Sequence, residues 1–210
     1  MQIGIIGSGK IGGTTARLFV DAGHEVAIAN SRGPDSLTGL AEELGDRVRA
    51  ATVEDAAGFG DVVLVAIPFG RYRELPPEPF GETIVVDATN YFPQRDGNFP
   101  ELDEDRTTSS ELVAAHLSDA RVVKAFNSMQ WAVLRDRGAP DAGDDRLALF
   151  VAGDDEDAKQ PVSALIEEIG FAPIDTGSLA EGGRRQQTGS PVFTRLIAAR
   201  DAEEALAASG

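Results

Sequence analysis

A chain of 210 residues, 42% hydrophobic, has enough material to bury a full core, and 23 glycines, 11 prolines and 26% charged residues exclude a disordered or collagen-like polymer. The net charge of −16 argues against a nucleic-acid binder, and it requires any anionic ligand to be held by a local group of donors against an unfavourable field. Cysteine is absent and only His24 and His116 are present, which removes thiolate chemistry and multi-histidine metal centres; no metal is expected.

Short β-branched runs alternate with amphipathic stretches, the pattern of a mainly parallel sheet covered by helices. Ile3–Ile6 reads as a buried strand closed by glycine. A helix follows over Lys10–Ala22, with Ile11, Thr15, Leu18, Phe19 and Ala22 on one face and Gly23 at its end. Glu25–Ala29 is the second strand. Leu37, Leu40, Ala41 and Leu44 mark a helix stopped by Gly45, Arg47–Ala51 a weak strand, and Asp55–Gly58 a short helix or turn. Asp61–Ile67 is the strongest strand, ended by Pro68. Thr83–Asp87 is a strand, followed by a polar loop over Ala88–Arg106, a length that marks functional or mobile segments. Thr108 and Glu111 form a capping box that opens a helix to Leu117. Arg121–Phe126 and Leu147–Val151 are strands. Ala158, Val162, Leu165, Ile166 and Ile169 form a helical stripe, which Pro161 should kink or start late. Ala172–Asp175 is a last strand, and a terminal helix is expected from Val192 to Ala208.

The sequence therefore predicts an α/β protein with a doubly wound, Rossmann-type sheet in a single domain spanning 1–210, with a helical segment from about residue 188. Acidic bunches at Pro100–Arg106, Asp141–Arg146 and Asp154–Asp157 read as solvated loops or helix starts. The longest apolar run, Val62–Phe69, falls far short of the roughly 20 residues of a bilayer helix. No basic leader precedes the first strand, so a cytoplasmic protein is expected. About 35 residues follow Asp175, too few for a separate helical substrate domain. They are expected to cover the sheet edge or pair with a second subunit in a homodimer.

Gly7-Ser8-Gly9-Lys10-Ile11-Gly12 matches G-x-G-x-x-G, directly after a strand and opening a helix, the context of a dinucleotide site. Gly7 permits the tight turn, Gly9 the approach of a pyrophosphate, and Gly12 the packing of helix on strand. The helix N-terminus offers free N–H groups to the diphosphate, with Lys10 as a further candidate contact. Where an NAD site keeps Asp or Glu, the second strand ends in Asn30-Ser31-Arg32-Gly33. Ser31 can donate a hydrogen bond and Arg32 can grip a 2′-phosphate, which favours NADP(H). Hydride transfer between stacked rings needs alignment rather than an acid or base, and neither histidine lies in a motif loop. His24 reads as a surface residue and His116 as packed. Phe69, Asn90, Tyr91, Asn127, Met129 and Trp131 follow strand ends and are candidates to shape an acceptor pocket, with Phe69 and Trp131 able to sandwich a flat ring.

Taken with Ala66-Ile67-Pro68-Phe69, Val122–Asn127, Gly153-Asp154-Asp155 and Asp175–Leu179, these motifs resemble the NADPH-dependent reductases of the deazaflavin coenzyme F420. They are similar also to the oxidoreductase domain of the STEAP ferric reductases. The resemblance implies a pyrophosphate held by Ser8–Ile11 and a 2′-phosphate held by Ser31 and Arg32. It places Ile67, Pro68 and the backbone near Asn90 at the nicotinamide ribose, and Phe126–Met129 around the nicotinamide. It implies hydride exchange between NADPH and coenzyme F420. Gly33-Pro34-Asp35-Ser36 stands where those reductases carry a further base, and Asn127–Trp131 is built differently. NADPH-dependent reduction of a flavin, a flavin-chelated metal or an imine is therefore an alternative, as is an NADP(H)-binding sensor without turnover.

Overall fold

The computed structural model describes residues 1–208. Eight strands make one sheet in the order β3-β2-β1-β4-β5-β6-β7-β8: β1 (Gln2–Ile6), β2 (Glu25–Ala29), β3 (Val48–Ala51), β4 (Val62–Val65), β5 (Ile84–Asp87), β6 (Arg121–Lys124), β7 (Ala148–Gly153) and β8 (Ala172–Asp175). The first six strands pair in parallel, β6 and β7 antiparallel, and β7 and β8 in parallel, so the last two run against the rest. The order reverses between β1 and β4, the switch point at which doubly wound sheets open a crevice at their carboxyl edge. Among the described residues no helix is long and apolar enough to cross a membrane.

Strand periodicity explains the layering. Ile3, Ile5, Val26, Ile28, Val62 and Leu64 face one hydrophobic layer, while Ile6, Ala27, Val63 and Val65 face the other. Both faces are covered, which is why these strands read as continuous apolar runs rather than alternating ones. The helices are α1 (Lys10–Asp21), α2 (Thr38–Leu44), α3 (Val53–Phe59), α4 (Pro93–Asp96), α5 (Pro100–Asp103), α6 (Ser109–His116), α7 (Trp131–Asp136), α8 (Glu156–Glu168), α9 (Glu181–Gln186) and α10 (Ala202–Ala207).

The predicted bounds hold for β2 and β8, and the capping box of α6 is present in both directions, Glu111 N–H to Thr108 Oγ1 and Thr108 N–H to the Glu111 carboxylate. Other expectations are corrected. β4 ends at Val65, because Ala66–Pro68 turn out of the sheet to line a cleft. β6 ends at Lys124, because Phe126 takes a left-handed backbone (φ 62°). The long loop contains the single turns α4 and α5, each with proline at its start. Pro161 does not delay α8, which begins five residues earlier where Asp155 Oδ1 accepts the Ala158 N–H at 3.1 Å. The terminal helix is confined to α10 and the 3₁₀ turn before it. Val192–Ala198 is an irregular strap, with Thr194 left-handed (φ 59°) and Leu147 bridged to Ala198. Val192, Ile197 and Ala202 of this segment pack on Ala148 and Phe150 of β7. His24 is buried rather than on the surface, between the Met1 amino group at 3.2 Å and Glu168 Oε2 at 2.6 Å.

The start of β6 is tied to α8 by Arg121 Nε and Asp155 Oδ2 at 2.6 Å. The Arg121 hydrogen bond is the main reason the Asp155 carboxyl sits at about 2, below its ordinary 3.8. A depressed acid contributes stability that is complete above the ordinary value and is lost as pH falls through the folded one. Asp155→Asn keeps a capping oxygen and removes the charge. The gap in urea midpoint between the parent and this variant is expected to be full at neutral pH and to close as pH falls from 3.8 to about 2. A gap independent of pH in this range would contradict the ion pair.

Candidate functional site

The glycine turn is built by contact. Gly7 takes φ 110° and donates its N–H to Ala29 O at 2.8 Å. A Cβ on Gly7 would lie 2.3 Å from Ala66 O, and one on Gly12 would lie 1.8 Å from Gly7 O. These two glycines serve the chain's own packing. Gly9 differs: a Cβ there meets nothing within 4 Å, so the chain's own packing does not require a glycine at this point. Gly9 caps α1 without a side-chain bond, and no acid occupies the first turn, leaving N–H groups and the positive dipole end for an anion.

The turn forms one side of a cleft of about 490 Å³ at the ends of β1, β2 and β4. Gly7, Ser8, Gly9, Asn30, Ser31, Arg32, Ile67 and Pro68 are brought together here. Asn30 couples two parts of the wall: Nδ2 donates to Ser8 Oγ at 3.0 Å, and Oδ1 accepts the Arg32 N–H at 2.8 Å and the Ser36 hydroxyl at 3.1 Å. Arg32 is exposed, with no partner for its guanidinium among the described residues. Ile11 packs against the core and Gly12 is buried beneath Gly7, so neither lines the cleft. Lys10 points elsewhere, with Nζ 5.2 Å from the Trp131 ring centroid.

Sequence reasoning missed Arg71. It follows β4 in a 3₁₀ turn (Phe69–Glu74), lines the same cleft, and its Nη1 lies 3.4 Å from Ser31 Oγ. Its guanidinium also grips Glu74, with Nε 2.9 Å from Oε2; hydrogen bonding holds the arginine above its ordinary pKa and the acid below its own. The signal available was its place just past the end of a parallel strand. Val53, Leu75 and Pro76 add an apolar portion to the wall.

β5 and β6 carry the same pattern, V-V-D-A-T-N and V-V-K-A-F-N, in register at Asp87 and Lys124. This pair is wholly buried: Lys124 Nζ lies 3.1 Å from Asp87 Oδ2 and 2.6 Å from Thr89 O, and Asp87 also accepts the Ser110 hydroxyl at 2.7 Å and the Thr89 N–H at 2.9 Å. Burial holds the Lys124 ammonium below its ordinary pKa against the pull of Asp87. Three residues on, Asn90 and Asn127 face each other. Asn90 Nδ2 donates to Asn127 O at 2.8 Å, and Asn127 Nδ2 lies 3.2 Å from Asn90 Oδ1 and 2.8 Å from Gln186 O. Asn127 Oδ1 and Gln186 Oε1 are buried without a partner.

A second cleft, of about 220 Å³, is lined by Asn90, Tyr91, Ser109, Gln187 and Thr188 among others. Of the expected acceptor residues, Asn90 and Tyr91 border it. The Tyr91 hydroxyl is 2.8 Å from Asp103 Oδ1, and desolvation raises its pKa. Phe69 is fully buried in an aromatic cluster with Tyr72, Tyr91 and Phe99, and Met129 belongs to the core. Trp131 opens α7 beside α1, in a neighbouring groove with Lys10 and Arg135 that shares only Ser8 and Gly9 with the first cleft. The Phe69–Trp131 sandwich is therefore overturned: one ring is sealed under Tyr91, and the other packs on a different element. His116 is packed as expected, its Nε2 2.8 Å from Leu75 O and its ring edge-on to Tyr72.

Residues 2–91 match the family described as NADP oxidoreductase, coenzyme F420-dependent. The chain resembles this family from β1 to the segment just after β5, 90 of its 210 residues. It is 30% identical over 182 residues to the metalloreductase STEAP3 of Rattus norvegicus, covering 85% of this chain and 34% of that protein. It is 33% identical over 133 residues to an F420-dependent NADP reductase of Methanocaldococcus jannaschii, covering 60% and 57% of the two chains. It thus spans about a third of the length of the STEAP metalloreductases that it matches. A solved structure from Sinorhizobium meliloti, described as a hypothetical protein, superposes with a TM-score of 0.83 at 36% identity over 94% of this chain and 95% of that one. The NADP oxidoreductase family accords with a β2 end that carries Asn30-Ser31-Arg32 in place of a carboxylate.

Removing one member of a buried ion pair leaves an uncompensated charge, at a cost of about 3–5 kcal/mol. Lys124→Met is expected to lose stability of that order in urea unfolding. Adding Asp87→Leu should recover a large part of it. No recovery in the double variant would show that the lysine's packing and its bond to Thr89 outweigh the ion pair.

Proposed function

We propose that this chain binds NADP(H) in the cleft at the ends of β1, β2 and β4 and exchanges hydride with a planar acceptor of the deazaflavin class, coenzyme F420, at the ends of β5 and β6. One observation carries the cofactor half: Arg32 and Arg71 flank Ser31 on one cleft wall, and the end of β2 carries no carboxylate to repel a phosphate there. Two guanidiniums around a hydroxyl match a 2′-phosphate, which accepts charge-assisted hydrogen bonds in a fork. The Gly9 gap and the free N-terminus of α1 fit a pyrophosphate. Val53, Leu75 and Pro76 offer an apolar surface to adenine, and Ile67 and Pro68 to the nicotinamide ribose.

Bound NADPH supplies the hydride. The chain's residues position and shield. Asn90 and Asn127, locked to each other and to Gln186, fix the floor beyond the nicotinamide. The Asn127 Oδ1 and Gln186 Oε1 atoms lack donors but are buried behind both clefts, so they belong to this floor and not to the surface that a ligand meets. Alignment of two flat rings at about 3–3.5 Å is then the main catalytic contribution, and no side-chain acid or base is required. Kinship with metalloreductases favours one second reading, in which the acceptor is a flavin that passes electrons to a chelated metal.

Mixing the protein with NADPH and oxidised coenzyme F420 should bleach the deazaflavin absorbance. No bleaching with F420, together with flavin-dependent NADPH oxidation, would select the second reading. For the cofactor, Arg32→Ala is expected to weaken NADPH by roughly 1.5–3 kcal/mol with little effect on NADH. Arg71→Ala should shift selectivity in the same direction, and Glu74→Gln, which frees Arg71 from its rival carboxylate, should tighten NADPH; calorimetry with both cofactors reads all three. Equal losses for NADPH and NADH would refute the phosphate role. Gly9→Ala should cost at most about 1 kcal/mol of stability, as a poorer cap, yet reduce NADP+ affinity by about tenfold or more. Gly12→Ala, by contrast, should fail to fold stably.

A further inference from the structure

Beyond the second cleft lies a hollow of about 1040 Å³ formed by α9 and residues 187–191 after it. The two spaces adjoin, sharing Asp105, Gln187 and Thr188 as walls. The donors here are notable in a chain of net charge −16. Arg184 and Arg185 are adjacent on α9, and both line the hollow. Arg185 is exposed, and its guanidinium has no partner among the described residues. Arg184 Nη1 meets Asp105 Oδ1 at 3.2 Å, in a pair exposed on both sides, 40% and 77%, of the kind that a better anion displaces readily. Ser190 Oγ, also of this wall, is buried without a hydrogen-bond partner. The opposing charges are Asp105 and Glu181; Glu181 stands four residues before Arg185 on the same helix and makes no ion pair with it.

We propose that this hollow is a docking subsite for a phosphate monoester or diester on the side chain of the acceptor, and that it therefore selects phosphorylated flavins or deazaflavins over the bare ring and polyol. The inference rests on the reading that places the acceptor ring against Asn90 and Tyr91. Two guanidiniums give a phosphate several donors at once. A neutral polyol gains nothing from the charges, and a lone carboxylate such as Glu181 cannot engage both arginines. The subsite is separate from the Arg32–Arg71 wall, so the cofactor and the acceptor would each have an anion anchor of their own.

The test is binding, read by flavin fluorescence quenching with NADP+ present, for FMN against riboflavin, and by deazaflavin fluorescence for F420 against its ribityl fragment without phosphate. In at least one of the two pairs the phosphorylated member is expected to bind about tenfold or more tightly, and inorganic phosphate should compete with it alone. Arg184→Ala/Arg185→Ala should erase the preference while leaving the affinity of the unphosphorylated member unchanged. Arg185→Lys should retain part of it. Equal affinity within both pairs, no binding of any of the four, or a variant that weakens both members of a pair alike would overturn the subsite. The underlying reading fails differently. If the phosphate preference is present but NADPH reduces none of the four, the hydride acceptor is wrong and the anion site stands. If phosphorylated and bare rings are bound and reduced equally, the redox reading stands and the subsite falls.

Discussion

The contact between Gly12 and the Gly7 carbonyl governs the cofactor side of the molecule. With no Cβ to hold them apart, α1 settles onto β1 closely enough that even one methyl at Gly12 would overlap the strand's last carbonyl. That approach sets where α1 begins. Its uncapped N-terminus therefore opens at the switch between β1 and β4, where parallel strands diverge and a ligand can enter. Asn30 extends the arrangement by hydrogen bonding, to Ser8 on one side and to the Arg32 backbone on the other. The glycine turn and the loop after β2 are thus one unit. A displacement of either would move Ser31 and Arg32 relative to the rest of the cleft.

The ends of β5 and β6 depend on a different kind of contact. Lys124 and Asp87 are directly paired in the ladder, and their charges are out of reach of water. Such pairs add little net stability, because desolvation offsets the attraction, but they tolerate few alternative geometries. Here the lysine also reaches Thr89 O, and the carboxylate holds Thr89 N–H and Ser110. Both chains leaving the sheet are therefore fixed for the next three residues, which is the distance to Asn90 and Asn127. The left-handed Phe126 fits this view. A non-glycine residue in that region carries strain that neighbouring contacts must hold, and its ring is clasped edge-on by Phe19 in the core.

Local chemistry made much of this legible in the sequence. Strands of β-branched residues, the glycine turn and the Thr108–Glu111 box depend on near neighbours, and they emerged close to where the pattern placed them. What was missed depends on distant ones. α9 contains Gly182 and Gly183, poor helix formers that hide it from a periodicity argument; yet a Cβ on Gly182 would come within 2.5 Å of Thr176 Oγ1, so the glycine is there for packing. α7 has six residues, ends in the exposed Arg135–Asp136 pair and lacks a side-chain cap, leaving little periodicity to detect. His24 was read as exposed because its burial comes from Glu168, 144 residues away. Arg71 reaches Ser31 across 40 residues, and no spacing rule links the two. Phe69 satisfied the strand-end rule for ligand contact, but its ring turns inward and supports Tyr91 instead.

The distribution of charge connects the two sides. Most cations of this acidic chain are engaged by carboxylates, carbonyls or rings, and among the described residues only Arg32, Arg137, Arg185 and Arg195 have guanidiniums without partners. Two of the four border clefts, one at the end of β2 and the other on α9 beyond β8. Between them stand Asn90 and Asn127, whose amides stay neutral at every accessible pH. Two anionic molecules that met in the same field would repel each other, which would oppose the close ring contact that hydride transfer needs. Anchoring each anion at its own remote arginines, with only neutral amides where the rings would meet, removes that conflict. On this account, the segment after β8 that covers β7 also completes the acceptor site.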